Sequence, residues 1–469
     1  MLTVGQERTH VKILIVGAGM VGYSLAEHLS HTNNNVSVID RSAEICKELN
    51  NRLDVFALNA AATDLEALEE AGIRTADMVI AVTPHDDTNL VVCNFAKQYG
   101  VAKRIARIKS TWYTRKSTVV SLEELGVTHV IEPEREVVRN ILNVVELPGV
   151  TEAANFQSEN VYLRGYTVTE DMPIAGRTVE QTTQFTSSAH ILIVLIVRKG
   201  RAILPRGSQH ILAGDEIVAI MPRDSFGEFR AMINKPAGKL KKIVVFGDSF
   251  VAVQLCEQLL HYSDRVILVD PDEKHAELAA TQLKGVEVLW GDCTRIEMLQ
   301  EVHVENLPFF IAAGNDTEDN VMSCLLAKAE GAREVIAISN AKRHARLFMS
   351  VGLDHIINPN IITAQTIIAN IIKVPIGSML KLKNVDVEVN RLVVGHNSAV
   401  VGRAIKEMSR MVKSDIIVGS IFRADELIIP SGETVYEEGD EVLILSRPQD
   451  SEPLQRLFRP RSLMSTFHA

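Results

Sequence analysis

Short, strongly apolar runs recur along this chain, each ended by glycine, proline or a polar cluster and followed by a stretch with helical spacing. Lys12-Ile13-Leu14-Ile15-Val16 leads into Gly17-Ala18-Gly19-Met20-Val21-Gly22, and apolar positions then recur with helical spacing from Val21 to Leu29. A continuous apolar run of this length predicts a strand buried on both faces, and the spacing after it predicts a helix. Val36-Ser37-Val38-Ile39-Asp40 predicts another strand. Met78-Val79-Ile80-Ala81-Val82 predicts a further one, ending in the polar loop Thr83-Pro84-His85-Asp86-Asp87 and a helix start. Arg104-Ile105-Ala106-Arg107-Ile108-Lys109 is the next. Strands alternating with helices predict a parallel sheet.

The whole pattern then returns. Lys242-Ile243-Val244-Val245-Phe246 enters a worn turn, Gly247-Asp248-Ser249-Phe250-Val251-Ala252, and Val266-Ile267-Leu268-Val269-Asp270 closes on the same acid. Gly17 to Gly247 and Asp40 to Asp270 are both 230 apart, and Thr63 to Thr294 and Asn89 to Asn320 are both 231 apart. Such registration indicates duplication. It extends past the sheet: Leu204-Pro205-Arg206-Gly207 and Gly214-Asp215-Glu216 recur as Ile429-Pro430-Ser431-Gly432 and Gly439-Asp440-Glu441, with 225 residues from Pro205 to Pro430 and from Asp215 to Asp440. The runs Val161 to Val168, Ile191 to Val197 and Glu216 to Met221 predict antiparallel hairpins. The expected fold class is α/β, with two Rossmann-like parallel-sheet domains, each followed by a small α+β antiparallel domain. The expected boundaries are 11–133, 134–235, 240–358 and 359–460.

Composition narrows the classes of function. Of 469 residues 46% are apolar and 23% charged, the profile of a globular protein with sizeable cores. The longest apolar run, Ile191 to Val197, falls far short of the roughly 20 residues a membrane-crossing helix needs. No direct membrane insertion is therefore expected. The start of the chain lacks the apolar core of a signal peptide, which with five scattered cysteines points to a reducing cytoplasm. The cysteine pattern contains no metal-binding spacing. Cys93 and Cys324, equivalent in the repeat, are expected to be small buried side chains. A net charge of −10 weighs against nucleic acid as a partner.

The first glycine turn carries the candidate chemistry. A Gly-x-Gly-x-x-Gly pattern is informative when it joins a strand to a helix and an acid follows at about the right distance. Here Gly17 allows the tight turn, Gly19 lets a diphosphate approach the backbone, and Gly22 lets the helix pack close. The helix N-terminus offers free amides to phosphates. Asp40 would accept from ribose hydroxyls and disfavour a 2′-phosphate, but it cannot distinguish NAD from ATP or ADP. Thr83 and Pro84 would lie beside the adenosine, and Arg107 could reach phosphates. By the 230-residue spacing Ala337 stands opposite Arg107 in the repeat. Asp86 and Asp87 are expected to cap a helix rather than bind metal. In the second copy Ser249 and Ala252 replace two glycines, while Asp270 is retained.

These residues support a family resemblance. Gly17-Ala18-Gly19-Met20-Val21-Gly22, Ala76-Asp77-Met78-Val79-Ile80-Ala81-Val82-Thr83, Thr88-Asn89 and Arg104 to Ile108 resemble the RCK (KTN) domain, and Gly291-Asp292-Cys293-Thr294 is similar to that domain's Gly-Asp-x-Thr loop. The order of domains resembles the tandem RCK subunits that regulate potassium uptake. The resemblance implies a non-enzymatic peripheral protein on the cytoplasmic face of the inner membrane. It would gate a TrkH-like potassium-translocating membrane subunit, assemble with itself as a ring, expected to be a tetramer, and bind NAD(H), or ATP/ADP at the same site. It carries the nucleotide site onto Gly17, Ala18, Gly19, Met20, Val21, Asp40, Thr83, Pro84 and Arg107, and in the second copy onto Gly247, Asp270 and Thr294. One alternative is an NAD-dependent oxidoreductase, for which only the isolated His190, His210 and His396 offer a proton relay. Another is a nucleotide sensor for a different transporter.

Overall fold

Continuous apolar strands need cover on both faces, and the helices between them supply it. The structure is a computed structural model that describes residues 11–30, 34–110, 112–114, 121–156, 160–182, 191–235, 238–341, 345–370, 376–381, 386–411, 416–424 and 426–460. Strands β1 (Lys12–Val16), β2 (Asn35–Asp40), β3 (Phe56–Asn59), β4 (Met78–Ala81), β5 (Lys103–Arg107) and β6 (His129–Ile131) form a parallel sheet in the order β3-β2-β1-β4-β5-β6. Ile13, Leu14, Ile15 and Val16 of β1 are all buried, and so is the whole of β4. The order reverses between β1 and β4, which opens a crevice beyond their carboxyl ends.

A small antiparallel sheet follows, built from β7 (Val150–Phe156), β8 (Val161–Thr167), β9 (Leu192–Arg198), β10 (Arg201–Ile203) and β11 (Glu216–Pro222) in the order β10-β9-β11-β8-β7. The second copy reproduces both sheets. Its parallel sheet contains β12 (Ile243–Phe246), β13 (Val266–Asp270), β14 (Glu287–Trp290), β15 (Phe309–Ala312), β16 (Glu334–Ile338) and β17 (His355–Ile357), ordered β14-β13-β12-β15-β16-β17. Its small sheet contains β18 (Ile376–Lys381), β19 (Glu388–Val393), β20 (Ile417–Arg423), β21 (Glu426–Ile428) and β22 (Glu441–Ser446), ordered β18-β19-β22-β20-β21. The duplicated fold class read from the sequence is present.

The repeats exchange helices, a feature the linear pattern does not reveal. The helix Pro133–Val145 follows the first parallel sheet, yet it packs on Phe250–Leu259, the glycine-turn helix of the second copy. Reciprocally, Pro359–Asn370 packs on Met20–Ser30, the glycine-turn helix of the first copy, and the two exchanged helices also pack on each other. Ala364, Ile367 and Ile368 thereby join the core of the first sheet, while Val137, Val138 and Ile141 join that of the second. The two small sheets share a core as well, with Val161, Leu163 and Ile220 against Val387, Val389 and Leu445. Among the described residues no helix is long and apolar enough to cross a membrane.

Candidate functional site

The expected residues of the first copy gather at the carboxyl ends of β1, β2, β4 and β5. Gly17 has φ +99, and a Cβ there would stand 3.0 Å from the Thr83 backbone nitrogen, so the turn from β1 abuts the loop after β4. Gly22 is more constrained still, because a Cβ would come within 1.8 Å of the Gly17 carbonyl oxygen. At Gly19 a Cβ would meet nothing within 4 Å. That open space lies against the N-terminus of Met20–Ser30, where unpaired amides and the helix dipole favour an anion. Met20 is half exposed and Val21 is buried, so Val21 can offer a ligand only its backbone.

Asp40 ends β2 and remains partly exposed. One carboxylate oxygen accepts from the Ala18 backbone N–H at 2.6 Å and the other from Ser42 N–H at 2.8 Å. The acid therefore ties the glycine turn after β1 to the end of β2. Asn89, fully buried, accepts from Thr83 N–H and donates to the carbonyls of Thr83 and Arg107. This fastens the loops after β4 and β5 together, with Pro84 exposed at the rim. The Arg107 Nε has no hydrogen-bond partner among the described residues. Burial lowers the Arg107 pKa, against the pull of Glu134 and Asp86, and burial raises that of Glu134. A cation with spare hydrogen-bonding capacity thus stands at the end of β5, and a guanidinium there can bind phosphate oxygens.

Two expectations need correction. Asp86 does not cap the helix Asp86–Gln98; its carboxylate accepts from the Lys109 and Ser110 backbone amides at 3.0 and 2.8 Å. Asp87 accepts from its neighbour Thr88, and the cap residue is His85, with no side-chain cap bond. The chain after β5 competes more effectively for Asp86 because its amides have no ladder partner. Ala337 is not the counterpart of Arg107. Asn320 donates to the Ile338 carbonyl as Asn89 does to that of Arg107, which makes buried Ile338 the equivalent. One residue enters the second copy before Thr294, so the offset beyond it is 231 rather than 230.

In the second copy Gly247 keeps a positive φ of +140, and Asp270 ends β13 but is fully buried and paired with His275. The Thr294 hydroxyl donates to Asp292 at 2.7 Å. Among the described residues no group of His, Cys, Asp or Glu is arranged to hold a metal ion. His190 lies outside the described residues. His210 is exposed on the first small domain, and His396 pairs with Glu438 on the second.

The repeated Gly-Asp-Glu segments have a structural role that composition did not expose. Buried Asp215 accepts two hydrogen bonds from Arg198, both at 2.7 Å, and one from Leu212 N–H. Asp440 does the same with Arg423 and Glu437 N–H. The signal was available, since Arg198 and Arg423 are also 225 apart. Between the small domains lies a mostly apolar cavity of about 370 Å³, lined by Ile191, Leu192 and Pro205 and by Ile417, Val418 and Pro430. All five cysteines are buried.

Comparison with known proteins agrees with the duplicated fold. The TrkA-N domain family matches residues 13–133 and 243–359, and the TrkA-C domain family matches 163–234 and 389–459. The chain is 29% identical to the Trk system potassium uptake protein TrkA of Azorhizobium caulinodans over 96% of its own length and 99% of that protein's. It is also 29% identical to the protein of that name from Halomonas elongata, covering 92% and 95% of the two chains. Among solved structures, a GsuK channel superposes with a TM-score of 0.60 at 18% identity, over 96% of this chain and 78% of that one. A GsuK channel bound to NAD gives 0.59 at 17% identity, over 97% and 80%. With both domain types matched twice and in alternation across most of its length, the chain belongs to the family of Trk system potassium uptake proteins TrkA.

Proposed function

We propose that the first parallel-sheet domain binds an adenine nucleotide, NAD(H) or ATP/ADP, and that its occupancy gates a TrkH-like potassium-translocating membrane subunit. The observation that carries this is the crevice beyond β1 and β4, where a glycine turn, an uncapped helix N-terminus and Asp40 stand in the order of phosphate and ribose. Gly17, Ala18, Gly19 and Met20 would receive the phosphates, Asp40 the ribose hydroxyls, and Thr83 and Pro84 the adenosine. Arg107 would read what lies beyond the second phosphate. Two nucleotides sharing one adenosine pocket drive opposite states only through unequal affinity for the two conformations. The NAD-bound GsuK structure supports a dinucleotide on this fold.

The chain would act from the cytoplasmic face of the inner membrane as a peripheral subunit. Assembly into a ring, taken as a tetramer, draws support from exposed apolar residues at equivalent places, Val91 and Met322, and from exposed Leu347 and Val351 of the second copy. Calorimetric titration with NADH, NAD, ATP and ADP tests the site. The expected result is binding of both nucleotide classes without NADH turnover, lost in Asp40→Ala. Steady NADH oxidation with a small substrate would favour the oxidoreductase instead.

A further inference from the structure

The two parallel sheets can be superposed residue by residue through their hydrogen bonds, and three differences converge on one crevice. The first is at the helix N-terminus. Where the first copy has Gly19 and open space, the second has Ser249, whose hydroxyl accepts from Ala252 N–H at 3.1 Å and donates to the Ala313 carbonyl. An amide of the helix's first turn, the counterpart of that of Gly22, is thereby bonded within the chain, and the seryl side chain bridges to the strand-end loop opposite.

The second difference spans the crevice itself. Ala18 and Pro84 of the first copy can form no side-chain bridge between their loops. Their counterparts are Asp248 and Asn315, and the Asp248 carboxylate accepts from both the backbone and side-chain N–H groups of Asn315, each at 3.1 Å. The third is at the ribose end. Ile45 becomes His275, whose Nδ1 bonds Asp270, while the other Asp270 oxygen accepts from Asp272 N–H at 2.9 Å. Asp40 is partly exposed, whereas Asp270 has no exposed surface.

Charge acts in the same sense. Around the phosphate end the second copy carries Asp248, Asp292, Asp316, Glu318 and Asp319 where the first has Ala18, Ala61, His85, Asp87 and Thr88. The Asp319 pKa is raised by burial and then by Asp316, Asp292, Glu318 and Asp248, as a cluster of like charges requires. Phosphates entering this crevice would meet repulsion, with Ile338 in place of Arg107.

From these observations we infer that the second parallel-sheet domain is a self-closed nucleotide fold: Ser249, the Asp248–Asn315 bridge and His275 occupy in cis the contacts a nucleotide would make. Each chain then binds one nucleotide, at the first copy only, and the second copy serves as a fixed packing partner. This rests on the nucleotide reading of the first site.

Binding stoichiometry measured by calorimetry on the full chain tests it, with ATP and NADH as probes. Wild type is expected to bind one equivalent and Asp40→Ala none. In the Asp40→Ala background, the triple change Asp248→Ala, Ser249→Gly, His275→Ile is expected to restore one equivalent, bound more weakly than at the wild-type site because the remaining acids and Ile338 stay in place. The reverse transplant into wild type, Ala18→Asp, Gly19→Ser and Ile45→His, is expected to weaken binding by about a hundredfold, the scale of two or more lost charge-assisted contacts. Two equivalents in wild type, a site surviving in Asp40→Ala, or a reverse transplant that binds normally would each overturn the closure. A folded triple variant that stays silent would overturn it too. No binding by wild type would instead refute the nucleotide reading of the first site.

Discussion

Asp40 and Arg107 define the two ends of the first crevice, and the behaviour of each follows from its surroundings. Burial raises the Glu134 pKa and lowers that of Arg107 beside it, while Asp86 is held by two backbone amides and Lys109 stays exposed. A carboxyl with a raised folded pKa holds its proton more tightly in the native state. The stability this contributes is full below the ordinary glutamate range and is lost as pH rises through the raised value. Acidification should therefore neutralise Glu134 above the ordinary glutamate range and leave Arg107 freer for phosphate. ATP affinity measured across that window is expected to rise as pH falls, and Glu134→Gln is expected to flatten the profile. The cysteines give a second prediction at this scale. Burial pushes the Cys93 thiol up to about 12 and those of Cys256, Cys293 and Cys324 higher still. Native protein in mildly alkaline buffer should resist a thiol reagent that labels all five sites after denaturation.

At the scale of elements, the small domains are held by buried carboxylates at their hairpins. Removing one partner leaves an uncompensated charge. Asp215→Ala or Asp440→Ala is expected to cost about 2–3 kcal/mol, a figure discounted for the partial exposure of each arginine. Urea denaturation checks this, and no change in midpoint would show the pair to be ornamental. Local pattern made these elements readable before any geometry. The strand at Ile13 to Val16, the helix after Gly17 and the duplicate at Ile243 to Phe246 follow from period and punctuation alone. Asp40 and the turn were legible for the same reason, since their spacing is fixed by one strand–helix–strand unit. Contacts between elements were not. Nothing in periodicity distinguishes His275 as a partner of Asp270 from a surface histidine, or assigns Asp86 to amides 23 and 24 residues away. The error over Ala337 arose because a single inserted residue shifts register without altering either apolar pattern.

At the scale of the whole molecule, the exchanged helices join the halves into one mechanical unit. Met20–Ser30, whose N-terminus follows the glycine turn, packs on Pro359–Asn370, which leads toward the second small domain. A nucleotide that shifts the first helix would thus be felt in the opposite copy. Ile367 is fully buried in that contact. Ile367→Ala is expected to lose about 3 kcal/mol and to split a single calorimetric unfolding transition into two, whereas an unchanged single transition would show the exchange to be dispensable. The central claim concerns the membrane partner and is tested most directly by potassium flux. Vesicles containing a TrkH-like potassium-translocating protein would be assayed with the full chain, with ATP or NADH, and with Asp40→Ala. Flux is predicted to depend on the chain and to differ between the two nucleotides, with that difference abolished in Asp40→Ala. Flux indifferent to nucleotide with wild-type chain bound to the vesicles would contradict the account.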